Sequence, residues 1–185
     1  MVWLVVLTLI FAQGNGLVIS KKDVEPYKKI FYRIYGHYPE SYDEKMEVLM
    51  NCLSDKLILK RARDIKITED PEFQRNWERT KEYIEHKCRS EHIDKARCDK
   101  IKQAFFRIMA IEATVEKEVG PLARKEASKN KWLIYTHENL KSKIPPKNIE
   151  GYIKEISKLK ALNAYIEKLM KVYRVKINTE AIQDL

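Results

Sequence analysis

Cys52, Cys88 and Cys98 are the residues of this chain best equipped for covalent or metal chemistry. In an oxidising compartment two of three cysteines pair and one thiol is left over. Cys88 closes one amphipathic segment and Cys98 opens the next. A bridge between them would staple a helical hairpin through a small loop, worth about 2–3 kcal/mol. Cys52–Cys98 is the rival pairing, which closes a longer loop; Cys52–Cys88 is the third. His86, Cys88, His92 and Cys98 also fall within thirteen residues, and zinc takes such ligands. Their H-x-C-x3-H-x5-C spacing matches no familiar tetrahedral site, so neither a metal nor a cofactor is expected. No nucleophile elbow, Gly-rich phosphate loop, H-E-x-x-H or catalytic Cys/His signature is present. The chain is not expected to be an enzyme.

Non-covalent chemistry is better represented. The net charge is +9, and residues 121–185 hold 14 basic against 7 acidic residues. A positive field there favours anionic partners. Within it Lys147, Lys154, Lys158, Lys160, Lys168 and Lys171 form a broad stripe that winds around one helix, interrupted by Glu150, Glu155 and Glu167. This stripe is the candidate polyanion-binding surface. Tyr27, Tyr35 and Tyr38 belong to a tyrosine cluster that could line a groove for a small hydrophobic ligand. Glu112 falls within an apolar stripe, between Ile108 and Val115, and is a candidate ligand-facing carboxylate.

The elements that would position these residues read as helices. Ser41 and Glu44 form a capping box that opens a helix to about Lys66. Its apolar residues, Met46, Leu49, Met50, Leu53 and Leu57, with Val48, Cys52 and Leu59 on a flank, predict packing on two sides. Asp70-Pro71 starts another helix carrying Phe73, Trp77, Thr80, Ile84 and Cys88 on one face. Asp94 caps a helix over about 95–119 with Cys98, Ile101, Phe105, Ile108 and Val115 in line. Glu25-Pro26 opens a short helix ending at Gly36. Gly120-Pro121 separates a further segment, 121–143, in which Trp132 to Thr136 could be extended. After Pro145-Pro146, Ile149, Ile153, Ile156, Leu159, Leu162, Ile166, Leu169 and Tyr173 predict one long helix over about 147–174. The tail from Val175 is expected to fray. Scarce Gly and Pro and the absence of linkers predict an all-α, single-domain bundle of about six helices with a long C-terminal helix.

Val2 to Ala12 (VWLVVLTLIFA) is apolar and is followed by Gly14 and Gly16, the pattern of a secretory signal peptide over residues 1–16. The run is too short to cross a bilayer, which needs roughly 20 apolar residues. The mature chain, residues 17–185, is then secreted and extracellular, with no transmembrane segment. No Asn-x-Ser/Thr triplet is present, so no N-glycan is expected.

A secreted helical chain with these cysteine intervals resembles the odorant-binding family of insects and its salivary relatives, the D7 proteins. Cys52 to Cys88 encloses 35 residues and Cys88 to Cys98 encloses nine, similar to the middle of that family's cysteine pattern. Lys56 stands where that family's C-x3-C partner would be, and the terminal C-x8-C step is absent. The resemblance implies a hydrophobic ligand pocket. More generally the chain resembles the secreted helical proteins of blood-feeding arthropod saliva, which act on host components. The expected function is a secreted, non-enzymatic binding protein that engages an anionic extracellular or host partner through its basic C-terminal third. The alternative is a carrier of a small hydrophobic ligand held between helices.

Overall fold

A computed structural model describes residues 9–129 and 146–185. The chain is helix-dominated, as its patterning predicts, with six α-helices among the described residues. It forms two compact units. One comprises Met1–Lys60 with Lys168–Leu185, the other Arg61–Glu167.

The first unit opens with strands β1 (Ile10–Gly14) and β2 (Leu17–Ser20). They pair antiparallel across a two-residue loop, with Gly14 opposite Leu17 and Ala12 opposite Ile19. Gly16 sits at φ +68°, a left-handed conformation that glycine reaches without a Cβ clash. Asn-Gly between two apolar runs is a strong short-range hairpin signal, and here it joins strands where the sequence suggests a cleavage site. A third strand, β3 (Lys176–Ile177), pairs with the other edge of β1, so β1 is the middle strand. Phe11 and Ile19 are fully buried. Cleavage after Gly14 or Gly16 would remove β1 and with it the strand that holds β3.

Helix α1 (Lys21–Tyr35) starts four residues before the expected Glu25-Pro26. The reason is Asp23, whose carboxylate accepts from both the amide and the hydroxyl of Ser20, at 2.9 and 2.8 Å. Pro26 is tolerated inside this helix. Helix α2 (Tyr42–Asp64) keeps its capping box: Ser41 N donates to Glu44 Oε2 at 2.9 Å and Glu44 N to Ser41 Oγ at 3.3 Å. Leu49, Cys52, Leu53 and Leu57 are fully buried along it.

The tail does not fray. Beyond β3, Ala181, Ile182 and Leu185 are buried around a short 3-10 turn (Ala181–Asp184). Asn178 N donates to Phe11 O at 2.8 Å, and Lys45 Nζ to Gln183 O at 2.7 Å. A two-residue strand and a single turn are too short to leave a periodic signal, so the apolar content of the tail was invisible as structure.

The second unit contains α3 (Pro71–Ser90), α4 (Lys95–Glu118) and α5 (Gly120–Lys129). Asp70 caps α3 by accepting from Glu72 N at 2.8 Å, and Asp94 caps α4 by accepting from Arg97 N at 2.9 Å. Trp77 is only half-buried and meets Phe106 edge-on, ring centroids 5.0 Å apart. Phe105 and Ile108, expected on the buried face of α4, are about half exposed at 46% and 50%. The small residues Ala110 and Thr114 take the interior instead. The long helix α6 (Pro146–Val172) behaves similarly: Ser157 and Ala161 are buried while Leu159 is exposed. Trp132 to Thr136 and Leu140 lie outside the described residues, as do residues 1–8.

Cys88 and Cys98 stand at disulfide distance, Cα atoms 6.0 Å apart, within the range a disulfide spans. They sit in a small cluster with Ile84, Ile93 and Ile101 where α3 turns into α4. Cys52 is the free cysteine; burial pushes its thiol up to about 12, aided by Asp23 and Asp55 and opposed by Lys56. A thiol so buried stays protonated at pH 8 and reacts poorly with alkylating agents. Native protein treated with iodoacetamide is therefore expected to carry no label, and unfolded, unreduced protein to carry one, on Cys52. Label on Cys98 in the unreduced sample would rule out the Cys88–Cys98 pairing.

Candidate functional site

Within the second unit a cavity of about 560 Å3 opens among the end of α4, α5 and the first half of α6. Gly120, next to Pro121, is among its lining residues. Pro121 has no N–H and its ring crowds the preceding turn, so α4 cannot run straight on; Val119 alone separates α4 from α5. Three i, i+4 pairs then supply the lining, each pair sharing a helix face. Val115 and Val119 come from α4, Ala123 and Ala127 from α5, Lys154 and Lys158 from α6. Ile153, buried, completes the apolar wall beside Lys154. The two alanines leave the space that larger side chains would fill.

Charge gathers at the rim. Arg124 pairs with Glu116 at 3.5 Å, both well exposed, so this pair contributes little to stability. Among the described residues no carboxylate lies within ion-pair distance of Lys154 or Lys158. Beside Val119, Glu118 accepts from Arg61 Nη2 at 3.2 Å and from the Tyr165 hydroxyl at 3.4 Å. That network lies within the second unit and joins Arg61 to α4 and α6. Burial, with the Glu118 charge beside it, pushes the Tyr165 hydroxyl up to about 12, so at neutral pH it remains a hydrogen-bond donor.

The other sequence-derived candidates lie elsewhere. Tyr27 is half-buried, and its hydroxyl donates to Asp55 Oδ2 at 2.6 Å. Burial raises the Asp55 carboxyl while the tyrosine bond opposes it. Tyr35 and Tyr38 are each about half exposed. Tyr38 stacks on Tyr32 with centroids 4.8 Å apart, and Tyr35 packs on Phe31 at 4.4 Å. Tyr35 and Tyr38 thus belong to two separate ring pairs. Glu112 is exposed, because the buried face of α4 is rotated onto Ala110 and Thr114. None of Tyr27, Tyr35, Tyr38 and Glu112 lines the cavity.

The lysine stripe divides between the units. Lys154, Lys158 and Lys160 lie in the second unit, Lys168 and Lys171 in the first, all exposed. Lys147 is in the first turn of α6, and its side chain falls outside the described residues. Among the described residues no group of His, Cys, Asp or Glu is placed to hold a metal ion, and no helix is long and apolar enough to cross a membrane. The chain matches no family model, no curated protein and no solved structure.

Proposed function

We propose that this chain is an exported, non-enzymatic binding protein that takes a small, largely apolar ligand in the α4–α5–α6 cavity. The cavity itself carries the reading: its volume of about 560 Å3 lies within the roughly 300–1,000 Å3 of small-molecule sites. Among the described residues its apolar lining is Val115, Val119, Ala123, Ala127 and Ile153, and its charged residues are exposed. Export is supported by the Cys88–Cys98 pair, since disulfides persist in oxidising compartments. The direct test is displacement of the neutral fluorophore N-phenylnaphthylamine, together with native mass spectrometry for a copurified small molecule. Filling the space with Ala127→Phe is expected to weaken probe binding at least tenfold while helicity is kept. Failure of the unmodified protein to bind the probe, with no copurified ligand, would overturn the cavity reading.

One observation keeps a polyanion partner as a second reading. Lys154, Lys158, Lys160, Lys168 and Lys171 all lack a carboxylate at ion-pair distance among the described residues. Binding to heparin that weakens steeply with salt, through counterion release, would favour it. Ser replacement at Lys154, Lys158 and Lys160 would then flatten the salt dependence.

A further inference from the structure

We infer that the ligand of the cavity is a single-chain amphiphile with a carboxylate head, its tail against Val119, Ala123 and Ile153 and its head between Lys154 and Lys158. The inference rests on the reading of the cavity as a small-molecule site. It adds the sign of the ligand's charge and the residues that hold it.

Among the described residues the lining carries three cations, Arg124, Lys154 and Lys158, against one anion, Glu116. Arg124 and Glu116 are matched to each other at 3.5 Å. The excess therefore resides in the two lysines, one helical turn apart on α6. A cationic head would meet like charge there. A neutral ligand would gain nothing from either ammonium. An anionic head gains two opposite charges without separating any ion pair seen among the described residues. Ile153 and Lys154 are successive residues of α6, so one turn supplies both the end of the apolar wall and the start of the charged mouth. A molecule whose apolar and anionic parts are directly joined, as in an alkyl carboxylate, fits that adjacency. Because both lysines are exposed, their attraction is partly screened by salt, whereas burial of the tail is not.

The test uses the full chain and displacement of N-phenylnaphthylamine by decanoate and by decanol, at low and high salt. Decanoate is expected to bind about tenfold more tightly than decanol at low salt, and the preference should shrink at high salt. The Lys154→Met/Lys158→Met protein, which keeps the length and apolar stems of both side chains, should lose that preference. Equal affinity for the two ligands, or a preference that survives the double substitution, would overturn the inference and leave the cavity reading intact. Failure of the unmodified protein to bind the probe or either competitor would defeat both. Heparin binding that decanoate does not compete, with no displacement of the probe, would assign the two lysines to a macromolecular polyanion instead.

Discussion

Phe11→Ala is expected to destabilise the first unit by about 3–5 kcal/mol, the usual cost of truncating a buried aromatic. Phe11 is fully buried, and its carbonyl accepts from Asn178 N at 2.8 Å. It therefore anchors both the core and the returning tail. A urea titration followed by circular dichroism measures the loss directly. A chain that begins at Asn15 should be affected more severely, because it lacks β1 altogether. Gly14 shows how closely that strand is fitted: a Cβ there would come within 2.6 Å of the Tyr173 carbonyl oxygen. If the chain beginning at Asn15 unfolds at the same urea concentration as the longer one, β1 is dispensable, and cleavage at Gly14 costs the fold nothing.

Ile182→Ala should cost about 2–5 kcal/mol. A frayed terminus would give a change near zero, so this substitution separates the two descriptions of the tail. Ile182 is fully buried, with Ala181 and Leu185 buried beside it. The same urea experiment reads it. A loss below about 0.5 kcal/mol, the range of ordinary surface changes, would return the tail to solvent.

Much of the helical framework was legible because polar caps announce helix starts. Ser41 with Glu44, Asp70 with Pro71, and Asp94 each mark a start that the structure keeps. Helix faces were harder to read. Hydrophobic periodicity selects bulky residues, whereas closely packed helices bury small ones. Phe105, Ile108 and Leu159 therefore drew the pattern outward, while Ala110, Thr114, Ser157 and Ala161 hold the interior. The same bias concealed the site. Lys154 and Lys158 stood out as part of a basic stripe, but Ala123 and Ala127, which give the cavity its room, carry no strong apolar signal. At the N-terminus two readings competed for the same residues: an apolar run before small residues describes both a leader and the first arm of an Asn-Gly hairpin.

The place of β1 between β2 and β3 has a consequence for how the protein is made. Synthesis proceeds from the N-terminus, and β1 can pair with β2 as soon as Ser20 has emerged. Its other edge waits until Ile177 arrives, more than 150 residues later. Pairing of such distant residues is slow, since closing the long intervening loop comes before the contact is rewarded. Until then Phe11 and its neighbours stay partly uncovered, open to whatever factor engages apolar nascent segments. The first unit closes only after the intervening residues, those of the second unit included, have been made.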